Sequence, residues 1–99
     1  MDVEYSYQGI AFEWDSDKAA ANVGKHGVTF DTACEAFFDP FVVVTDEQTV
    51  GAEVRETLIG MTLRWKVLCV VYMERLGDRF RIISAREATP TERHDYESQ

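Results

Sequence analysis

Apolar residues recur along this chain with two different periods, and the switch from one to the other divides it. Ile10-Ala11-Phe12-Glu13-Trp14 alternates well enough for a short strand. Asp15 then stands where an N-cap would, its carboxylate positioned to accept from the first free amides of a helix running through Lys18 to Val23. Gly24 weakens that helix, and Gly27 reads as its left-handed C-cap. Lys25 and His26 therefore fall in the last turn, where the helix dipole favours cations. Thr29 opens a second helix whose Phe30, Ala33, Cys34 and Phe37 lie at i, i+3, i+4 and i+7, a single stripe for the core. Pro40 ends it.

From Phe41 the spacing becomes that of strands. Strands are predicted over 41–45, 54–62, 65–73 and 78–86, with an acidic loop over 46–53 and a turn at Leu76-Gly77-Asp78. The 65–73 segment is the most apolar and belongs at the sheet centre. Thr89, Pro90 and Glu92 have the spacing of a capping box with proline at the first helical position, so a terminal helix starts there. Residues 1–9, polar and aromatic, are expected to lie loosely at the edge. Short connections make the last four strands an antiparallel meander. The predicted order is β-α-α-β-β-β-β-α, an α+β fold with a mostly antiparallel sheet, helices packed on one face and the other face free to work.

The strand over 78–86 carries three arginines. Strict alternation puts Arg79, Arg81, Ile83 and Ala85 on one face and Phe80, Ile82, Ser84 and Arg86 on the other. Arg81 and Arg86 then point to opposite faces unless the strand ends or bulges before Arg86. Guanidinium beside Ile82 and Ile83 must meet carboxylates of its own protein or an anionic partner, because burying it unpaired is prohibitive.

The 99 residues, 45% hydrophobic and 28% charged, fit one domain over 1–99 with a small core. No apolar run is long enough to span a bilayer, and the first residues are acidic and aromatic rather than signal-like, so a cytoplasmic protein with no membrane attachment is expected. The formal charge of −8 argues against a generic polyanion binder. That average hides a split, −9 over residues 1–53 against +1 over residues 54–99, which suits a local cationic cleft in an acidic shell. Cys34 and Cys69 sit within apolar patterns without ligand spacing and read as buried thiols. No metal or cofactor is implied, and there is no Gly-rich phosphate loop or nucleophile elbow.

The run Phe12-Glu13-Trp14-Asp15 with Lys18 and Asn22, then Lys25-His26-Gly27-Val28 with Phe30 and Ala33, then Phe38-Asp39-Pro40, carries a resemblance that continues further along the chain. Arg55 with Ile59-Gly60, Arg81-Ile82-Ile83-Ser84-Ala85-Arg86, Ala88-Thr89, Glu92-Arg93 and Tyr96-Glu97 complete it, in order and over nearly the whole sequence. Together they resemble the BrnT family of toxins from bacterial type II toxin-antitoxin pairs. The resemblance implies a RelE-like fold, a metal-independent endoribonuclease activity that inhibits translation, and neutralisation by a BrnA-like ribbon-helix-helix antitoxin. RNA is then the substrate, and DNA is met only indirectly through the antitoxin.

The residues can host that chemistry. Cleaving RNA without a metal requires a group to take the 2′-hydroxyl proton, cations for the charge developing on phosphate, and an acid for the leaving oxygen. His26 is the one histidine outside the terminal helix, and imidazole as a class titrates near neutrality. Arg55, Arg81 and Arg86 offer planar donors for phosphate beside that imidazole, with Lys25 and Arg79 as further RNA-binding groups and Glu74 as a weaker acid or base. Arg86 is equally suited to pairing with Glu92. The acidic balance keeps a second reading open, a protein of the same fold with little or no nuclease activity that acts as an antitoxin-binding module, its arginines tied to Glu74, Asp78 and Glu87.

Overall fold

The computed structural model describes all residues, Met1–Gln99. Six strands and three helices follow in the order β1 (Asp2–Tyr7), β2 (Ile10–Asp15), α1 (Ser16–His26), α2 (Phe30–Ala36), β3 (Val43–Val50), β4 (Glu53–Met61), β5 (Val67–Arg75), β6 (Arg79–Glu87) and α3 (Pro90–Glu97). They build one sheet in the order β1-β2-β6-β5-β4-β3. Every neighbouring pair is antiparallel except β2 with β6. The expected α+β class and antiparallel meander from β3 to β6 are therefore present.

The first correction is β1, which is paired along its whole length with β2 instead of loosely held. Its alternation explains this: Val3, Tyr5 and Tyr7 turn inward onto the core while Asp2, Glu4 and Ser6 turn out. Gln8 and Gly9 close the hairpin with φ of 49° and 82°, the left-handed pair whose twist suits two-residue turns. The second correction concerns 46–53, expected as a loop. Most of it extends β3, which turns at Gly51 (φ 64°) into β4. All of β3 beyond Val43 is exposed, so nothing in its composition separates it from a polar loop. The third is Trp65, which belongs to the turn before β5 and not to the strand.

Both expected helix caps of α1 are present. Asp15 accepts from the Lys18 amide at 3.0 Å, and Gly27 at φ 70° donates its own amide to the Val23 carbonyl. Together with α2, this helix covers the face of the sheet carrying Phe12, Trp14, Leu58, Leu68, Val70, Tyr72, Ile82 and Ala85, which form the main core with Phe30, Ala33, Cys34 and Ala36. Gly60 is required under α2, because a Cβ there would collide with the Ala36 carbonyl. The third helix crosses to the other face, where Tyr96 packs on Ile59, Val67 and Cys69. So only two of the three helices share a face, and the surface expected to be open is partly covered. The thiols of Cys34 and Cys69 are free and buried, and burial pushes that of Cys34 up to about 12.

The arginine strand departs from strict alternation. Val71 stands opposite Ser84 but Tyr72 opposite Ile82, so Ile83 is an extra residue bulged out of β6. Beyond the bulge the faces swap: Ala85 joins Phe80 and Ile82 on the core side, and Ser84 and Arg86 join Arg79 and Arg81 on the outer side. The bulge therefore removes the objection that Arg81 and Arg86 point apart.

Candidate active site

Strand β2 pairs with β6 only along Arg79–Arg81, which leaves the edge of β6 beyond the bulge without a partner strand. The side chain of Asn22 on α1 takes that place. Its Nδ2 donates to the carbonyls of Ala85 (2.8 Å) and Val28 (2.9 Å), and its Oδ1 accepts from the Ala85 amide at 3.1 Å. Asn22 is 6% exposed and each of these bonds is shielded, so α1 is held against β6 by a satisfied polar clamp. Residues three and four away from Asn22 on the same helical face are thereby fixed along the seam. The result is a groove of about 280 Å³ lined by Lys18, Ala21, Asn22, Lys25, His26, Ile83 and Ser84.

Lys18, Lys25 and His26 are exposed, and none of them forms an ion pair or a side-chain hydrogen bond. The bulged Ile83 and Ser84 form the opposite wall. Two of the residues predicted for the site, Lys25 and His26, are thus brought together, and Lys18 joins them at a spacing of two helical turns. Its place was readable from the 18, 22, 25 spacing, since these residues share one face of a helix.

The arginines are elsewhere, and none lines the groove. Arg81 donates to Glu13 at 2.6 Å and to Asp2 at 3.0 Å, while Arg79 donates to Glu4 at 2.7 Å and stands 3.9 Å from Glu13. These hydrogen bonds to carboxylates hold both guanidinium pKa values above the ordinary arginine value. Arg86 makes a bidentate pair with Glu92, at 2.7 and 3.0 Å, as one of the two expectations for it had it. The same hydrogen bonds hold the Glu92 carboxyl down at about 2. Arg55 shares the outer face, separated from Arg81 by β5 and hence by about two strand spacings, ~10 Å. Its contact with Glu53 is loose at 3.6 Å, and its Nε is buried without a hydrogen-bond partner.

The partners differ from those expected. Glu74 stands opposite Phe80 and so faces away from the arginines, and Glu87 pairs with Lys66 at 3.1 Å. Asp2 and Glu4 take their place because β1 is a strand. A further polar cluster joins α3 to the β4 end: Asp39 accepts from the Tyr96 hydroxyl and from the amides of Phe41 (2.9 Å) and Met61 (2.8 Å). Burial opposes ionisation of Asp39, these donors outweigh it, and its pKa falls, while burial and Asp39 together push Tyr96 up to about 12. No group of three or more His, Cys, Asp or Glu side chains is placed to hold a metal ion. No helix is long and apolar enough to cross a membrane.

A six-stranded, mostly antiparallel sheet with three helices and a cationic groove where α1 meets its bulged strand defines a small α+β protein suited to an anionic ligand. The family model described as "Ribonuclease toxin, BrnT, of type II toxin-antitoxin system" matches residues 14–92. The chain belongs to this BrnT family and has the toxin's role in a toxin-antitoxin pair. Its fold is similar to that in the 1.1 Å crystal structure of the Brucella abortus ribonuclease toxin BrnT, with a TM-score of 0.52 and 22% identity over 77% of this chain and 92% of that one. No curated protein matches it.

Proposed function

We propose that this toxin is a metal-independent endoribonuclease that inhibits translation, and that His26 moves the proton while Lys25 and Lys18 hold the scissile phosphate. The observation carrying this reading is the seam itself: an imidazole and two ammonium groups share one groove, and the protein gives none of them a carboxylate. In the reaction the 2′-oxygen attacks phosphorus and gives up its proton, the bond from phosphorus to the 5′-oxygen breaks, and that oxygen takes a proton. The products are a 2′,3′-cyclic phosphate and a 5′-hydroxyl. His26 serves one of the two proton transfers and water the other. The lysines stabilise charge on the non-bridging oxygens as fixed point charges.

Among the arginines predicted for the site, Arg55 is the one with donors to spare, and it extends the RNA-binding surface across the outer face. Arg79, Arg81 and Arg86 have their charge compensated by Glu4, Glu13, Asp2 and Glu92, so their part is to hold the bulged strand in place. The partner is a BrnA-like ribbon-helix-helix antitoxin, through which alone the complex meets DNA. A second reading, a weakly active or inactive antitoxin-binding module, is favoured by those same ion pairs and by the charge of −8.

The deciding experiment incubates purified protein with RNA in the presence of a chelator, beside His26→Ala. Cleavage by the wild type alone, together with growth arrest relieved by co-expressing the adjacent open reading frame, is the expected result. Cleavage that persists in His26→Ala or vanishes with the chelator overturns the proposed mechanism. A protein that cuts nothing yet co-purifies with the neighbouring gene's product establishes the second reading.

A further inference from the structure

Nine large apolar side chains are exposed, and one of them is held outward by a rigid turn. Trp65 is 78% exposed, at φ 67°, a left-handed conformation uncommon for a bulky residue. The turn around it is closely bonded. The Thr62 amide donates to the Lys66 carbonyl (2.8 Å), the Trp65 amide to the Thr62 carbonyl (3.0 Å), and the Leu63 amide to Glu35 Oε1 (2.9 Å). The hydroxyl of Thr62, itself buried, accepts from the amides of Arg64 and Lys66, both at 3.3 Å. The backbone is thus fixed and the indole packs on no other aromatic ring. Its neighbours in sequence, Arg64 and Lys66, are cations, and Arg64 has no ion-pair partner.

The turn adjoins the seam. Lys66 lines a groove of about 240 Å³ with Gly27, Val28, Thr29, Thr32, Leu68 and Glu87. Gly27 directly follows His26, and Trp65 directly precedes Lys66, so each lies one residue from this shared groove. Glu87 is the one carboxylate in it and is occupied by Lys66 at 3.1 Å. An exposed indole on a hydrogen-bonded turn, flanked by the unpaired Arg64 and separated by one small groove from the end of α1 that carries Lys25 and His26, has the composition of a base-stacking platform beside a phosphate track.

Resting on the reading of the seam as the cleavage site, we propose that Trp65 stacks an unpaired base of single-stranded RNA while Arg64, the flanking cation without an internal partner, meets a neighbouring phosphate. The substrate class is then RNA with at least one unstacked base beside the scissile bond. A base inside a duplex has both faces taken and cannot use this surface.

The chain contains a second tryptophan, Trp14, but it is 7% exposed in the core, so quenching by an added oligonucleotide reports on Trp65. The test titrates His26→Ala, which cannot cut, with a single-stranded RNA oligonucleotide and with the same sequence as duplex, reading fluorescence and polarisation. The added substitution Trp65→Ala is expected to abolish the quenching and weaken single-strand binding about tenfold, with Trp65→Phe close to the tryptophan protein in affinity as read by polarisation. Duplex is expected to bind more weakly without quenching. Polarisation that shows binding with no quenching, or equal affinity in Trp65→Ala, overturns the inference. So does quenching by the co-expressed antitoxin but not by RNA, which assigns the turn to a protein contact. Trp65→Ala that cuts RNA as fast as the wild type, while His26→Ala does not cut, leaves the cleavage site standing and removes only the platform. Cleavage unaffected by His26→Ala removes both.

Discussion

The α1–β6 seam and the arginine row on the outer face are both cationic in sequence, but only one is cationic to a visitor. Along the seam, Lys18, Lys25 and His26 stand exposed without an internal partner. Across the outer face, Arg79, Arg81 and Arg86 each hold a carboxylate of the same chain within 3.0 Å. Arginine's planar fork makes it the better phosphate ligand in principle, and for the same reason it is readily captured by nearby carboxylates. The comparison teaches that availability, more than the number or type of cations, decides where an anion can bind. It also bears on how an acidic chain could take the proposed nucleic-acid substrate, because no carboxylate of the chain pairs with the cations of the seam.

The comparison can be broken in four ways. The largest effect is expected from His26→Ala, which should slow RNA cleavage by about 10²–10⁴ with little change in melting temperature, since this side chain is exposed and makes no hydrogen bond or ion pair. Arg81→Ala should do the reverse. It strips Glu13, a nearly buried carboxylate, of its shortest partner, and we expect about 2–3 kcal/mol lost in urea denaturation with cleavage per folded molecule little changed. A cleavage defect larger than the stability loss would move the active site to the outer face.

Next comes the pair of Arg86 with Glu92. The folded-state carboxyl is held at about 2 against the usual 4.5, so the pair's contribution is complete above about 4.5 and is lost as pH falls towards 2. Arg86→Gln should therefore be less stable at neutral pH by about 1–2 kcal/mol and show a flatter decline below pH 4.5 than the parent, read from denaturation midpoints. The smallest effect is expected for Lys25→Ala, which should lower the slope of log affinity for RNA against log salt by about 0.7, while Arg79→Ala leaves that slope unchanged.

Local signals were legible where they are local in cause. Asp15, Gly27, Thr89 and Glu92 specify helix ends through contacts within four residues, and all four lie where the residue types place them. The strand β1 is faint in the sequence although Val3, Tyr5 and Tyr7 alternate, because an edge strand with one solvated face carries half the apolar signal of an inner one. The β3 extension gave no signal at all, being exposed on every residue beyond Val43. In the site, Lys25 and His26 were readable from their place in the last turn of α1. Asn22 is legible in the sequence as a member of α1 but not as the clamp that builds the groove, because the Ala85 backbone it binds lies 63 residues away.

By itself the sequence determined the caps, the core-facing helix stripe, the antiparallel meander and the residue types on offer, since each depends on neighbours a few positions apart. Tertiary structure alone decided which cations remain free. A single bulged residue, Ile83, turned Arg86 to the outer face, and a paired N-terminal strand delivered Asp2 and Glu4 to the arginines from more than seventy positions away. Strand faces and ion pairs of that kind follow from register and chain closure, which no window of sequence contains.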